Sequence, residues 1–397
     1  MSTAAARKRR PHHLRLVEPG ERAPRSPSRA ERNDRHVTML VVSTAALTLL
    51  GLIMVLSASS VEAYARFRSS FLFFNRQVVY AVVGSLAMAV TMRMHHRAWE
   101  RLAGPMLLVS IVLLAMVLLP GFGTVAGGSA RWIELGPVTI QPSEFAKLSV
   151  ISFGAALLSR RWRRIQDLRQ MAVPLLPVVG VVCGLILLQP DLGTAVIIVT
   201  AVFVLLVAAG ARMRHLIVGA LATSTVGLGL IYVEGYRWSR FLSFLNPWAD
   251  PQGSGYQVIQ SLIAITSGGV FGVGLGASRQ KWQYVPNAHT DFIYSIIGEE
   301  LGLVGMLVVL GLFVVLVYAG IRVAIAAPDA FSRLLAAGIV GWIGGQALIN
   351  LGAVTGLLPI TGVPLPFVSF GGSSLVVSLA AVGILASIAR RGRAERG

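Results

Sequence analysis

The chain has 397 residues, with 35 Lys and Arg against 17 Asp and Glu and a formal net charge of +18, yet only 13% of residues are charged and 55% are hydrophobic. About a quarter of the residues in a soluble domain are charged, so this composition and a mean hydropathy of +0.71 exclude one. They indicate a polytopic membrane protein. The single cysteine, Cys183, excludes an intrachain disulfide and any cysteine-based metal cluster.

The N-terminal segment 1–36 is basic, polar and punctuated by proline, so we expect a disordered cytoplasmic tail. Its simplest role is to set the topology and to attract anionic lipid, with partner docking as the alternative. No secretory signal peptide is predicted, because the first apolar run begins at Val37 and is long enough to span. We divide the rest into a transmembrane domain (37–390) and a cytoplasmic C-terminal tail (391–397).

Ten apolar runs are candidates for transmembrane helices, which need roughly 17 to 25 residues each. The clear runs are 37–57, 102–119, 171–188, 192–211, 216–233, 334–358 and 366–389, and the weaker ones, which are short or carry charges, are 77–92, 144–158 and 292–321. An eleventh run, 257–277, is interrupted by two glycines, and counting it as a crossing would place the basic C-terminal tail outside. We predict an all-α polytopic membrane protein with ten transmembrane helices, both termini cytoplasmic, and a large extracytoplasmic loop between helices 7 and 8. We expect 257–277 to dip into the membrane within that loop.

Charged residues in apolar spans cost a few kcal/mol, so they are functional candidates. In this topology all of them lie at or below the outer face: Glu144, Lys147, Asp191, Asp291, Glu299 and Glu300. A single outward-facing, water-accessible cleft would gather them.

Purely structural roles are also open for these residues. Ser143 and Asp191 each follow a proline and are good helix caps. Glu144 and Lys147 stand at i, i+3, which suits an intrahelical ion pair. Asp291 is able to cap the eighth span, and His289 has the same ambiguity.

Two loops are unusual. The loop 234–290 is long, and long ordered loops are usually functional. The segment 362–374 reads as a broken helix, and non-helical backbone at membrane depth is tolerated only where protein or a water-filled cavity covers it. No Walker motif, dinucleotide fingerprint or paired metal-binding histidines appears.

Six segments together resemble the SEDS family of bacterial membrane proteins, the group of FtsW, RodA and SpoVE. They occur in order at 128–132, 141–147, 189–194, 244–276, 286–302 and 364–374, and the resemblance covers 37–390. Within the family the division branch, FtsW, is the most similar, on segments 55–60, 245–248 and 284–289. Phe370 departs from the pattern, because many members have Tyr there, so that hydroxyl is dispensable in this chain.

The resemblance implies a peptidoglycan glycosyltransferase, an inverting lipid II polymerase that acts on the outer face of the bacterial cytoplasmic membrane during cell division. The growing glycan on undecaprenyl pyrophosphate would be the donor, and the GlcNAc 4-hydroxyl of lipid II the acceptor. Asp291 matches the position regarded as catalytic in the family. A binding or supporting role is assigned to Arg131, Glu144, Lys147, Asp191, Arg240, Gln260, His289, Glu300 and Ser369.

This reaction needs a base for the hydroxyl proton and stabilisation of the departing pyrophosphate. Asp291 would be the base, and Arg131, Lys147, Arg240 or a divalent cation (Mg or Mn) would stabilise the leaving group. A nearby helix N-terminus would lower the pKa of Asp291 and weaken it as a base. We therefore expect either a pocket dry enough to raise the pKa, or a role for Asp291 as a metal ligand. No organic cofactor is expected.

The resemblance also implies a class B penicillin-binding protein as transpeptidase partner, together with divisome regulators, membrane lipid and a septal location. Nucleic acid is not an expected partner, because the basic excess lies in cytoplasmic membrane-flanking segments. The alternatives are a lipid II flippase, an elongation polymerase of the RodA type, and a non-catalytic scaffold. Against a flippase, the charges lie toward one face and the two halves of the chain show no repeat. A scaffold would leave the outer carboxylates without a purpose.

Overall fold

The computed structural model describes residues 29–126, 129–136, 138–161, 168–282 and 284–391. The fold is mostly helical, with a small sheet between the third and fourth helices. The elements are α1 (Arg29–Phe67), α2 (Leu72–Arg93), α3 (His96–Val117), β1 (Thr124–Ala126), β2 (Ser129–Leu135), β3 (Val138–Ile140), α4 (Pro142–Arg160), α5 (Leu168–Leu188), α6 (Leu192–Ala209), α7 (Met213–Val233), α8 (Gly235–Leu245), α9 (Tyr256–Gly268), α10 (Ile293–Ala326), α11 (Ala330–Val354) and α12 (Gly372–Arg391).

Eight of the described helices are long and apolar enough to cross a membrane: α1, α2, α3, α6, α7, α10, α11 and α12. This confirms a helical, multi-span membrane fold. The other two predicted spans correspond to α4, which carries Glu144 and Lys147, and α5, whose apolar part Pro174–Leu188 is shorter. The full set of ten crossings and the sides of the termini stay predictions.

The N-terminal boundary differs from the prediction. Helix α1 begins at Arg29, so residues 29–36 of the expected disordered tail are helical. This stretch contains no Gly or Pro, and the apolar span that follows it extends the helix backward, since adding a residue to an existing helix is far easier than nucleating one. Residues 1–28 of the tail, and 392–397 at the other end, lie outside the described residues.

The all-α prediction was wrong between α3 and α4. There β1, β2 and β3 form an antiparallel sheet in that order, with Thr124 opposite Trp132 and Ile133 opposite Ile140. The strands are short and stand between long apolar runs, so span counting passed over them. The sheet matters because β2 carries Arg131 to the turn between α5 and α6, at Gln189 and Pro190.

Helix α10 is broken at Gly302, which adopts a left-handed conformation with φ +65°. The segment after α9, residues 269–277, lies against this break, and we call it the strap. Val273 N donates to Glu299 O at 2.9 Å, and Leu303 N donates to Gly269 O at 3.0 Å. The strap thus pairs backbone groups within a membrane-spanning helix, as expected for a loop that re-enters the membrane.

Helices α11 and α12 form the centre of the bundle, and most of their residues are buried. Helix α7 lies at the periphery, with Leu216 as its only buried residue. The last span begins at Gly372 rather than at residue 366, because 362–371 forms a non-helical loop. This loop is covered by protein, since Val363, Leu365 and Phe367 are buried.

Candidate active site

Two cavities meet at one end of the bundle. The first, of about 430 Å³, is lined by most of the polar residues singled out in the sequence: Arg131, Glu144, Lys147, Asp191, His289 and Asp291. The second, of about 490 Å³, extends toward α7 and α8 and is lined by Arg237 and Arg240. Arg131, Asp191, Asn287, Asp291 and Gly362 line both cavities, so Asp291 lies at their boundary.

Asp291 is held at the start of α10 by its main chain. Phe292 N and Thr290 N both donate to Asn287 O, at 3.4 and 3.0 Å. Asn287 has a φ of +55°, a conformation that asparagine adopts more readily than most residues. The carbonyl oxygen of Asp291 accepts a hydrogen bond from Asn350 Nδ2 at 2.8 Å. All these contacts involve backbone atoms around Asp291, and its carboxylate lines the cavities.

Burial raises the pKa of Asp291 to about 6. The nearby Asp191 carboxylate raises this pKa as well, whereas His289, Arg240 and Arg131 lower it. The net rise in the pKa agrees with the first of the two alternatives from the sequence, a pocket dry enough to raise the pKa of Asp291. Near pH 7 such a carboxylate is largely ionised, yet it is a stronger base than an ordinary aspartate.

Arg131 and Asp191 both line the two cavities, and Arg131 binds the backbone just before Asp191. Arg131 Nε donates to Gln189 O at 2.9 Å, and its terminal nitrogen donates to Pro190 O. Asp191 caps α6, since its two carboxylate oxygens accept from the Thr194 amide at 3.1 Å and the Thr194 hydroxyl at 2.8 Å. The capping interpretation of Asp191 therefore holds, and the same side chain also lines the site.

Glu144 and Lys147 form a buried pair on α4. Lys147 Nζ lies 2.8 Å from Glu144 Oε2, and both side chains are almost fully buried. Lys147 also donates to Gln346 Oε1 at 2.9 Å and lies 5.0 Å from the centre of the Trp342 ring. A buried charge pair of this kind is stable only with such additional contacts. It places a fixed cation in the wall of the first cavity.

His289 and Arg240 enter the site from different sides. His289 Nδ1 lies 3.2 Å from Glu62 Oε2 of α1, and the imidazole packs on the Phe73 ring at 4.8 Å. Arg240 stands on α8 three residues after Arg237, so both project toward the second cavity. Arg237 Nε lies 3.1 Å from Glu234 Oε2. With Arg131, the lining holds three arginines and two aspartates, so cations are in excess.

The prediction of a single cleft was wrong for Glu299 and Glu300. The fully buried Glu300 accepts from Ser57 Oγ at 2.6 Å and lies 3.5 Å from Lys281 Nζ. Glu299 accepts from Ser278 Oγ and from the Arg279 amide. The break in α10 turns both carboxylates toward α1 and the residues that follow the strap, away from Asp291.

Two other predicted residues lie outside the linings of both cavities. Gln260 is half-buried on α9, and Gln257, one turn earlier, lines the second cavity instead. Ser369 is buried, donates to Thr290 O at 2.6 Å and accepts from Leu365 N at 2.8 Å. Ser369 thus ties the loop 362–371 to the segment that precedes Asp291.

A metal ion fits the site only in part. In the described part of the chain, no group of three or more His, Cys, Asp or Glu side chains is close enough to hold one. Asp291 and Asp191 both line the cavities, but Asp191 already accepts two hydrogen bonds. Mg²⁺ is often bound by one or two carboxylates together with substrate phosphates, and these residues fit a cation held in that way.

The family model for the FtsW, RodA and SpoVE proteins, described as cell cycle proteins, matches residues 37–394. The chain belongs to this family. The match spans all the helices that line the two cavities, so the family prediction is confirmed.

Individual relatives agree. Stage V sporulation protein E of Bacillus subtilis is 45% identical over 355 residues, which cover 89% of this chain and 97% of that protein. A probable peptidoglycan glycosyltransferase FtsW of Geobacter metallireducens is 42% identical over 358 residues, covering 90% and 96%. A solved structure described as "structural coordination of polymerization and crosslinking by a peptidoglycan synthase complex" matches with a TM-score of 0.74 and 34% identity, covering 90% of this chain and 98% of that one.

Three side chains that contact predicted site residues were not themselves predicted in this FtsW/RodA/SpoVE member, and neither were Arg237 and Asn287 of the cavity linings. Glu62 contacts His289, Gln346 contacts Lys147, and Asn350 contacts Asp291. The sequence held a signal for the two amides, because they stand four residues apart in an apolar span. Outside the family motifs only charged residues in spans were counted as candidates, so these two amides were passed over.

Proposed function

We propose that the chain is a peptidoglycan glycosyltransferase that polymerises lipid II on the outer face of the cytoplasmic membrane during cell division. Family membership and the names carried by its relatives support the activity. The observation that carries the proposal is the position of Asp291, a carboxylate with a raised pKa at the boundary of two cavities lined by cations.

The outward direction of the site rests on the ten-span topology, with α4 and α5 as the fourth and fifth crossings. Basic residues concentrate in the tails and in the loops on the opposite side from Asp291. Short cytoplasmic segments are rich in Lys and Arg, so that opposite side is the cytoplasmic one. The cavities then open where lipid II is consumed.

In the reaction, Asp291 accepts the proton of the GlcNAc 4-hydroxyl as its oxygen attacks C1 of the donor sugar. The C1–O bond to the pyrophosphate breaks on the opposite face, so the anomeric carbon is inverted. A base with a pKa near the working pH combines a large ionised fraction with useful basicity. Burial, which raises the pKa of Asp291, supports this role.

The two cavities differ in a way that supports a division between donor and acceptor. The second has Arg131, Arg237 and Arg240 beside apolar residues of α6 and α8 such as Val196 and Phe241. This combination suits a polyprenyl pyrophosphate, and we assign it the leaving group of the donor. The first cavity is polar, and we assign it the acceptor sugar.

A divalent cation, Mg or Mn, remains part of the proposal as a second source of charge stabilisation. In the alternative to the base role, it would be held by Asp291 together with phosphate groups of the substrate, because a carboxylate bound to a cation is a weaker base. There it would offset negative charge on the leaving group.

We also propose a class B penicillin-binding protein as partner, in agreement with the solved complex that couples polymerization with crosslinking. A groove of about 660 Å³ between α6, α10 and α11 supports this partner. Gly341, Gly344 and Gly345 line it, and small residues let a transmembrane helix approach closely. Divisome regulators, lipid contacts and septal location remain predictions from the family.

The decisive experiment is polymerisation of labelled lipid II by the purified protein with its cognate transpeptidase, with and without a divalent cation. We expect a glycan ladder from the wild type and none from Asp291→Asn, which keeps the shape of the side chain and removes the base. Asp250→Asn is the matched control, because Asp250 is an exposed aspartate of the long loop that caps a turn and lies outside the linings of both cavities.

Each outcome has a definite meaning. An inactive wild-type complex that is folded would overturn the enzyme and favour the flippase or the scaffold. Equal ladders from the wild type and Asp291→Asn would keep the enzyme and remove Asp291 as its base. A ladder that appears only with the cation would assign it a role in the reaction.

A further inference from the structure

Helix α11 carries a row of polar side chains into the bundle. Trp342, Gln346 and Asn350 stand at i, i+4 and i+8, so they lie on one face of the helix, and all three are buried. Buried polar groups at membrane depth need hydrogen-bond partners, because an unpaired one costs several kcal/mol. The donors of this row find their partners within the row or among residues around the site, whereas Asn350 Oδ1 has no partner among the described residues.

Asn350 joins Asp291 to the loop 362–371. Its Nδ2 donates to Asp291 O at 2.8 Å and to Val363 O at 2.7 Å. Both partners are carbonyl oxygens, which only accept, so the orientation of the amide is determined by chemistry. Gly362, the residue before Val363, faces the reacting group: a Cβ added there would lie 3.6 Å from Asp291 Oδ2.

Gln346 makes the corresponding contacts one turn away. Its Nε2 donates to Pro364 O at 2.9 Å, and its Oε1 accepts from Lys147 Nζ at 2.9 Å and from Trp342 Nε1 at 2.8 Å. A continuous set of hydrogen bonds therefore runs from Lys147 through residues 363–364 to Asp291. Helix α11, which packs against α4, α6 and α10, supports this set rigidly.

We propose that Asn350 and Gln346 are positioning residues, which set the separation between the Asp291 carboxylate and the Lys147 ammonium group across the first cavity. This role rests on the proposed function, in which Asp291 takes the acceptor proton. Neither amide lines a cavity, so neither touches substrate. Misplacement of a reacting group by about 1 Å lowers the rate by about 100-fold. Residues that hold Asp291 in place would prevent such a loss.

The test compares Asn350→Ala, Asn350→Asp and Asn350→Ser with the wild type in steady-state polymerisation of lipid II by the full-length protein with its transpeptidase. We expect kcat of the alanine variant to fall by about 10- to 100-fold with KM changed by less than about 2-fold, because the support affects the reaction and not substrate contacts. Aspartate in its ionised form, which cannot donate, should be at least as impaired. Serine, which donates one hydrogen bond, should give an intermediate kcat and provides a second variant if alanine fails to fold.

Thr91→Val is the matched control. It removes the hydroxyl that donates to Met88 O at 3.1 Å within α2 and to Ala380 O at 2.9 Å on α12, outside the linings of both cavities. This variant should lower thermal stability and leave kcat unchanged. In the double variant Asn350→Ala with Gln346→Ala, the fold-decrease in kcat should be smaller than the product of the two single decreases, since both residues support the same loop.

A wild-type kcat in Asn350→Ala, a rise in KM alone, or multiplicative losses in the double variant would overturn the positioning role. These results are distinct from failure of the proposed function. If the wild type makes no glycan, the enzyme assignment itself fails; if the wild type is active and the Asn350 variants match it, only the positioning role fails.

Discussion

At Asp291, burial raises the pKa of the carboxylate and the neighbouring cationic side chains lower it. The sequence posed the difficulty that a helix N-terminus weakens a base there. The fold buries the Asp291 side chain, which raises its pKa, and the Asp191 carboxylate raises it further. His289, Arg240 and Arg131 limit the rise, so the pKa is about 6.

This balance predicts a pH profile for polymerisation. The rate should rise with pH through about 6, because Asp291 must lose its proton to act as a base. Arg240→Gln removes a charge that lowers the pKa of Asp291, so the acidic limb should move to higher pH. Asp191→Asn should move it to lower pH. The measurement is kcat against pH for the three proteins.

Arg101→Gln is the control for that profile, since Arg101 is an exposed arginine on α3 outside both cavities. It should leave the limb in place. A limb that stays fixed in both Arg240→Gln and Asp191→Asn would show that another group controls the rate.

Structural and functional interpretations turned out to be compatible at single residues. Asp191 is a helix cap and also lines both cavities. Lys147 pairs with Glu144 in the same helix and also faces the first cavity. A local pattern identifies the cap or the ion pair, because its partners are close in sequence. The same local pattern does not predict the cavity, because the other residues that line it come from helices far away in the sequence.

At the scale of elements, the strap and the break in α10 depend on each other. The break leaves backbone groups of 299–304 without partners inside the helix, and the strap supplies them. A Cβ added at Gly302 would meet Val270 O and Gly272 N of the strap, and its φ of +65° disfavours any side chain. The sequence indicated a dip into the membrane at 257–277 but not its partner, because that contact joins separate elements.

Gly302→Ala should therefore lower stability. A left-handed conformation costs a non-glycine residue about 1 to 3 kcal/mol, and displacement of the strap adds to this. The check is thermal unfolding in detergent, with Gly311→Ala as the control in the same helix, where an added Cβ meets nothing within 4 Å. Equal unfolding temperatures for the two variants would contradict the coupling between strap and break.

At the scale of the whole molecule, the proposed ten crossings with cytoplasmic termini would place both cavities outside. Eight helices have the length and hydropathy expected of a transmembrane span. The ten-span proposal requires that α4 and α5, which do not meet these criteria, also cross the membrane. Helix α4 is less apolar because it carries Glu144 and Lys147, which are satisfied by each other and by Gln346. Burial inside the bundle, rather than contact with lipid, makes those charges tolerable.

The topology predicts which side of the membrane single cysteines face. In a Cys183→Ser background, Asp250→Cys should react with a membrane-impermeant maleimide on intact cells, because the long loop lies outside. Arg161→Cys, after α4, should react only once the cells are permeabilised. Labelling of Arg161→Cys in intact cells would remove the ten-span arrangement.

The sequence by itself determined the membrane class, most of the spans, the family and the motif segments that line the site. It could do so because hydropathy over a span and short motifs are local properties, fully present in consecutive residues. The tertiary structure alone decided that Glu299 and Glu300 lie apart from Asp291, and that Glu62, Gln346 and Asn350 adjoin the site. These facts depend on helix rotation and on contacts between residues far apart in the chain, which packing of the whole bundle settles.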